Sequence, residues 1–278
     1  MSLSLDHIVI RVKYLEQTIA DFETLGFIVQ RGGTHADGAT HNALIGLADG
    51  SYFELIAFLK DAPQHRWWDA NDRTGDGFVD FALLPHSVAA TIEAAQERGV
   101  RYEGPIDGGR LRPDGARLAW QIGKPLSPDL PFLCGDLTPR DLRVAPGDVR
   151  IHRNGVSGVS SLSVAVRDVR ASVARYRALL GETLAVQEGH LAGYDVTFAT
   201  LPLGNTTITL LAPARGEASA DNHASSSPGN LAHDLREHLA QRGEGVFGVT
   251  LSTRSESFAR ALPLALTHRA RIEIVSRK

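Results

Sequence analysis

The chain has 278 residues, 43% of them hydrophobic, and a formal charge of −3. That length supports one large domain or two ordinary ones, and a near-neutral charge without a basic block speaks against nucleic acid or an anionic membrane as a partner. The lone cysteine, Cys134, excludes an internal disulfide and fits a reducing, cytoplasmic compartment; no run approaches the ~18 apolar residues of a membrane span, and the N-terminus shows no signal-peptide pattern.

The first unit occupies residues 4–58. Ile8, Ile10 and Val12 alternate with His7, Val9 and Arg11, the period of a half-buried strand. Leu15, Ile19 and Phe22 follow at helical spacing, with Gly26 placed to close the helix. Three short strands are expected at Phe27–Gly32, His41–Leu47 and Ser51–Phe58, the last two joined by Asp49-Gly50 as a two-residue turn. The order is β-α-β-β-β. The helix must cover Ile8, Ile10 and Val12, so His7 and Arg11 face the other way. An unpaired carboxylate beneath a helix is costly. Phe53, Leu55 and Ala57 therefore go under the helix, and Tyr52, Glu54, Ile56 and Phe58 join the face of His7. If the two strands run side by side and parallel, His7 and Glu54 share one height, as half of a metal site or an acid–base pair.

A second, more divergent unit has a strand over Gly77–Leu84, a helix over Ser87–Arg98 closed by Gly99, and strands near Arg101–Ile106, Arg117–Gly123 and Pro131–Gly135. Proline, glycine and charges cluster over Asp141–Gly155 as a boundary. Beyond it the first unit recurs. Val159–Val166 repeats the period of Leu5–Val12, and Val169, Val173, Tyr176 and Leu180 repeat the first helix, closed by Gly181. Gly204-Asn205 takes the place of the hairpin turn, and Ile208–Ala212 copies Phe53–Ala57. Residues 215–230 form a polar, low-complexity loop. A fourth, partial unit has a strand over Val246–Thr253, a helix from Glu256 and a strand over Arg271–Val275. Where the first unit has His7 and Glu54, the third has Ser161 and Thr209, so one site of this kind is expected.

A βαβββ unit with His in its first strand and Glu in its last resembles the vicinal oxygen chelate superfamily, which includes glyoxalase I, extradiol dioxygenases and bleomycin-resistance proteins. The run LDHIVIRV…LGF…THNALIGLADGSYFELIAF is most similar to its glyoxalase-like domain branch. The likeness covers the first 140 residues well and the remainder more loosely. It implies an α+β fold of repeated βαβββ modules, paired into curved mixed sheets around a cleft with helices on the outer face. One glyoxalase-like domain would span 1–140, with modules about 3–60 and 76–138. A second would span 155–278: a full module 156–214, the polar loop 215–230 and a partial module 231–278. Further metal ligands would come from the first and last strands of the second module, which here hold Asp80 and Cys134 instead of His or Glu. Asp80 is the better candidate, with a bond to backbone or an arginine as its alternative. Cys134 has the habits of an inert small apolar residue.

Other residues complete the expected cleft. His41 falls four positions from the residue opposite Glu54, roughly 13 Å away at strand spacing, too far to share a metal; a cleft-rim role beside Asn42 suits it better. Arg11 could hold an anionic group of a substrate or pair with a carboxylate at the strand end. Trp67, with Trp68, either lids the cleft or seals the joint between modules, and Trp120 is placed to line it. His35, in a glycine-rich stretch over the cleft mouth, has substrate contact or plain solvation as its alternatives. His86 and His152 look like turn residues. No GxGxxG, P-loop, HExxH or GxSxG is present, so no nucleotide cofactor is expected. Two functions stay open. One is an enzyme in which a single divalent ion (Fe, Mn, Zn or Ni) on His7, Glu54 and Asp80 binds a small oxygenated molecule for lyase, isomerase or dioxygenase chemistry, or in which Glu54 serves as general base. The other is a metal-free binding protein of the bleomycin-resistance kind. With four modules in one chain, either a monomer or a homodimer is compatible.

Overall fold

The computed structural model describes residues 3–112, 114–204, 206–214 and 230–277; Asn205 and residues 215–229 of the expected polar loop lie outside them. The first half contains β1 (Ser4–Arg11), α1 (Leu15–Thr24), β2 (Gln30–His35), β3 (Thr40–Gly46), β4 (Tyr52–Phe58), α2 (Trp68–Arg73), β5 (Gly77–Leu84), α3 (Val88–Glu97), β6 (Tyr102–Leu111), β7 (Arg117–Pro125), β8 (Phe132–Asp136) and α4 (Arg140–Arg143). The second contains β9 (Val156–Ala165), α5 (Val169–Leu180), β10 (Gln187–Leu191), β11 (Val196–Leu203), β12 (Thr206–Pro213), α6 (Leu231–Gln241), β13 (Gly245–Thr253), β14 (Arg260–Ala261) and β15 (Ile272–Ser276). This is a mixed α+β fold of curved sheets.

The first two units close into one barrel, in the order β1-β4-β3-β2-β6-β7-β8-β5. β1 and β4 pair in parallel, His7 opposite Tyr52 and Val9 opposite Glu54. Alternation sorts the side chains as the sequence requires. Ile8, Ile10, Phe53 and Leu55 pack with Ile19 and Phe22 of α1 in the main core, while Val9, Ile56, Ala82, Phe132 and Cys134 cluster on the inner face.

The β3–β4 register differs from the expected one by a single residue. Leu47 N–H bonds to Ser51 O (2.8 Å) and Gly50 N–H to Leu47 O (3.1 Å), so the loop holds three residues, Ala48, Asp49 and Gly50. Gly50 takes φ +90°, the left-handed position that such a loop reserves for glycine. Leu44 therefore faces Glu54 and His41 faces Ala57. A one-residue slip moves every side chain of a strand to the other face. His41 consequently sits on the helix side of β3, and Asn42 on the inner side.

The second half forms one seven-stranded sheet, β10-β11-β12-β9-β13-β15-β14. Ser161 pairs with Thr207 and Ser163 with Thr209, the register that β1 and β4 use. Val173 and Tyr176 of α5 join the main core with Leu162, Val164 and Leu210. Leu235 and Leu239 of α6 pack with Ala165, Leu211 and Phe247 on the other side. The helix expected from Glu256 is instead a single 3-10 turn, Glu256–Phe258; Pro263, seven residues on, cannot sit inside a helix.

Polar clamps join the halves. Arg175 grips the buried Asp129 with Nε (3.0 Å) and Nη2 (2.7 Å). His152 is buried rather than a plain turn residue: Nδ1 accepts from Ile28 N–H (3.0 Å) and Nε2 donates to Gly46 O (2.9 Å). His268 stands between Asp76 (3.0 Å) and Asp21 (2.9 Å). Its bond to Asp76, outweighing partial burial and aided by Asp21, raises its pKa above the ordinary value. A raised histidine stabilises the fold below its unfolded pKa and loses that contribution as pH climbs through the folded one. The thermal midpoint is therefore expected to fall by a few degrees between pH 6 and 8.5, on the order of 1 kcal/mol for such a pair. Scanning calorimetry of His268→Asn should show a smaller fall; an identical pH profile would contradict the assignment.

Candidate active site in the barrel

The barrel encloses a cavity of about 680 Å³ whose wall includes His7, His35, Asn42, Glu54, Trp67 and Trp120. His7 is fixed on three sides. Its ring stacks on Tyr52 (centroids 4.6 Å apart) and meets the edge of Phe132 (5.2 Å), and its Nδ1 lies 2.7 Å from Asp6 Oδ2. The neighbour Asp6 reaches that nitrogen because β1 bulges there: Leu5 faces Leu83 and His7 faces Ala82, leaving Asp6 extra. Bulges re-aim side chains in this way. Asp6 is fully buried and is held in turn by Arg140 and by Arg143 Nη1 (2.8 Å). Arg143 also bonds Asp136 and the Tyr52 hydroxyl.

Glu54 lies at the centre of the polar wall. Asn42 Nδ2 donates to its Oε1 (2.6 Å), His7 Nε2 stands 3.6 Å from Oε2, and His35 Nε2 stands 3.5 Å from Oε1. His35 Nδ1 is tied to Thr40 Oγ1 at 2.7 Å. Burial alone would lift the Glu54 carboxyl, but the two histidines and the Asn42 amide outweigh it and hold it down to about 2. The histidines diverge. Burial opposes charge on His7, yet bonds to Asp6 and Glu54 raise its pKa, whereas burial dominates at His35 and lowers it. Environments that push paired groups apart separate acid from base; His7 favours the charged form and His35 the neutral one.

The predicted site residues fall into two sets. His7, Glu54, Asn42, Trp67 and Trp120 converge on the cavity, and Trp67 also packs in the inner cluster. Asp80, Arg11 and His41 do not line it. Asp80 bonds to Arg66, Trp67 Nε1 (3.2 Å) and Phe81 N–H (2.8 Å), so its oxygens are engaged by the connector after β4 and by the backbone of β5, the arginine-and-backbone alternative. Arg11, at the end of β1, is buried beside Asp76 (3.6 Å). His41 is lost to the register slip. The sequence holds no geometric cue to Asp6; His35, expected in a glycine-rich loop over the cleft mouth, instead ends β2 and lines the cavity.

Which donors suit a metal ion follows from their chemistry. Among the described residues, the trio whose ligand atoms all lie within 4.8 Å of one another is Asp6, His7 and Cys134. It does not fit: two arginines claim Asp6, and burial pushes the Cys134 thiol far up, away from the thiolate that binds metals. By donor type His7, His35 and Glu54 fit better, although their ligand atoms are not all within 4.8 Å of one another. Each imidazole is oriented through Nδ1 and presents Nε2 toward one carboxylate, the donor set of two-histidine, one-carboxylate sites.

A barrel of two βαβββ units, with His from the first strand and Glu from the fourth facing one cavity, defines a vicinal oxygen chelate fold. The glyoxalase-like domain model matches residues 5–180, and the chain belongs to that family. No curated protein matches. Among solved structures, a hypothetical protein from Staphylococcus aureus is similar over 99% of this chain and 100% of its own, at 14% identity and a TM-score of 0.72. A triple mutant of 4-hydroxymandelate synthase from Streptomyces coelicolor is similar over 95% of this chain and 78% of its own, at 15% identity and a TM-score of 0.61. A xylose isomerase-like TIM barrel/4-hydroxyphenylpyruvate dioxygenase fusion protein is similar over 99% of this chain and 49% of its own, at 14% identity and a TM-score of 0.58. At these identities the likeness speaks for the fold alone. No helix among the described residues is long and apolar enough to cross a membrane.

Proposed function

We propose that the barrel cavity binds a small oxygenated molecule on a divalent ion held by His7, His35 and Glu54, for lyase, isomerase or dioxygenase chemistry. The observation that carries this is the pair of oriented imidazoles flanking the Glu54 carboxylate at 3.5 and 3.6 Å. An ion bound there supplies a Lewis acid for substrate oxygens. Glu54 stays ionised through the working pH range and contributes negative charge. Without an ion, His7, steadied by Asp6, can hold or release a proton at Nε2; with one bound, that nitrogen is a ligand and the bond from Nδ1 to Asp6 fixes its direction.

The test is equilibrium dialysis of chelator-stripped protein against Mn, Fe, Ni and Zn. About one equivalent should bind to the wild type, with losses of roughly tenfold or more in His7→Ala, His35→Ala and Glu54→Ala. Because His7 must give up its proton to become a ligand, affinity should rise with pH through its elevated pKa, with proton release; a flat profile would contradict this. A second reading, a metal-free binding protein, is favoured by the engagement of Asp80 with Arg66 and by the protonated Cys134. It stands if the wild type binds no ion.

A further inference from the structure

Arg110 is buried in the cavity wall, 4% exposed, on β6 opposite His35. Its Nη1 donates to Asn42 Oδ1 (3.3 Å) and its Nη2 to the Arg143 carbonyl (3.2 Å). Both acceptors are neutral. Glu54, which acts on it through charge, is engaged by His7, His35 and Asn42, and no described carboxylate forms an ion pair with Arg110. A buried cation needs an opposite charge or costs several kcal/mol. The chain has made room for this one: a Cβ on Gly32 would stand 1.9 Å from Asn42 Oδ1 and 2.3 Å from Arg110 Nη1. Guanidinium has five N–H donors, and two neutral carbonyl acceptors leave three for a ligand. The same cavity wall carries Tyr52, Trp67, Trp120 and Phe132.

We infer that Arg110 selects a ligand carrying an anionic oxygen group, carboxylate or phosphate, on an apolar, ring-sized body. The anion lies on the guanidinium while the body rests against the aromatic wall. Asn42 accepts from Arg110 and donates to Glu54, so one amide separates the anchored anion from the polar centre, and the atoms next to the anion are presented to His7 and Glu54. This deepens the proposed function by naming its ligand class, resting on the cavity as a ligand site and not on the ion.

The experiment is calorimetric titration of metal-stripped protein with benzoate, phenyl phosphate and benzyl alcohol. At least one anion should bind about tenfold or more tightly than the alcohol, as a charge-assisted bond implies, and the tighter anion identifies the group. The preference should vanish in Arg110→Gln and persist in part in Arg110→Lys. Equal binding of anions and alcohol, no binding by either anion, or an unchanged preference in Arg110→Gln would overturn the assignment. Where Arg110→Gln does not fold, Arg110→Lys carries the comparison: its preference should be weaker than the wild type's, and an unchanged one would overturn the assignment. Failure of metal binding in the dialysis leaves this result standing, so the two proposals fail separately.

Discussion

Asp6→Ala is expected to be among the most damaging single substitutions in the barrel, costing about 3–5 kcal/mol in urea unfolding. Asp6 is fully buried and receives Arg140, both Nη atoms of Arg143, and His7 Nδ1. Desolvation opposes its charge, but Arg143, His7 and Arg140 overcome it and hold the carboxyl far below the usual carboxylate range. Removing one partner of a buried ion pair leaves the other charged and desolvated, which is where losses of that size arise. Asp136, still paired with both arginines, softens the loss without cancelling it. The sign with pH follows from the depressed pKa: the contribution of Asp6 is present above its unfolded pKa and lost only in strong acid. Asp6→Asn should cost less and have a second signature. His7 loses a charged partner, so its pKa, followed by NMR titration, should drop. A loss below about 1 kcal/mol in Asp6→Ala would show that the arginines are satisfied elsewhere.

Glu54→Gln is expected to cost about a hundredfold or more in metal affinity while leaving the fold intact, because the amide keeps the shape of the side chain and loses its charge. The same variant should lower the pKa of His7, which owes part of its elevation to Glu54. It should lower that of His35 as well, where Glu54 is the chief counterweight to burial. Dialysis and histidine NMR titration on one sample read both effects. Retained metal affinity would remove Glu54 from the ligand set; unmoved histidines would contradict the contacts at 3.5 and 3.6 Å.

Much of the barrel's first half is legible in the sequence, because period-2 alternation and the cost of a carboxylate under a helix settle which face His7 and Glu54 occupy. What alternation cannot show is where it breaks. The bulge at Asp6 brings the partner of His7 from the adjacent position in the chain. The three-residue turn at Gly50 shifts β3 by one, exchanging His41 for Asn42. Gly32 and Gly33 resemble a loop but belong to β2, where a glycine marks close approach of other groups; with that signal taken as strand, His35 and its neighbour Arg110 come into view. Asp80 lies on β5, the strand its alternation predicts, and its partner Arg66 comes from a connector with no periodicity to interpret.

The central claim, that His7, His35 and Glu54 meet one ion in the cavity, is tested most directly by loading the stripped protein with Cu(II) and recording its electron spin echo envelope. Two imidazole nitrogens should couple to the copper, with one lost in His7→Ala and one in His35→Ala. A signal from surface-bound copper that neither substitution alters would contradict it.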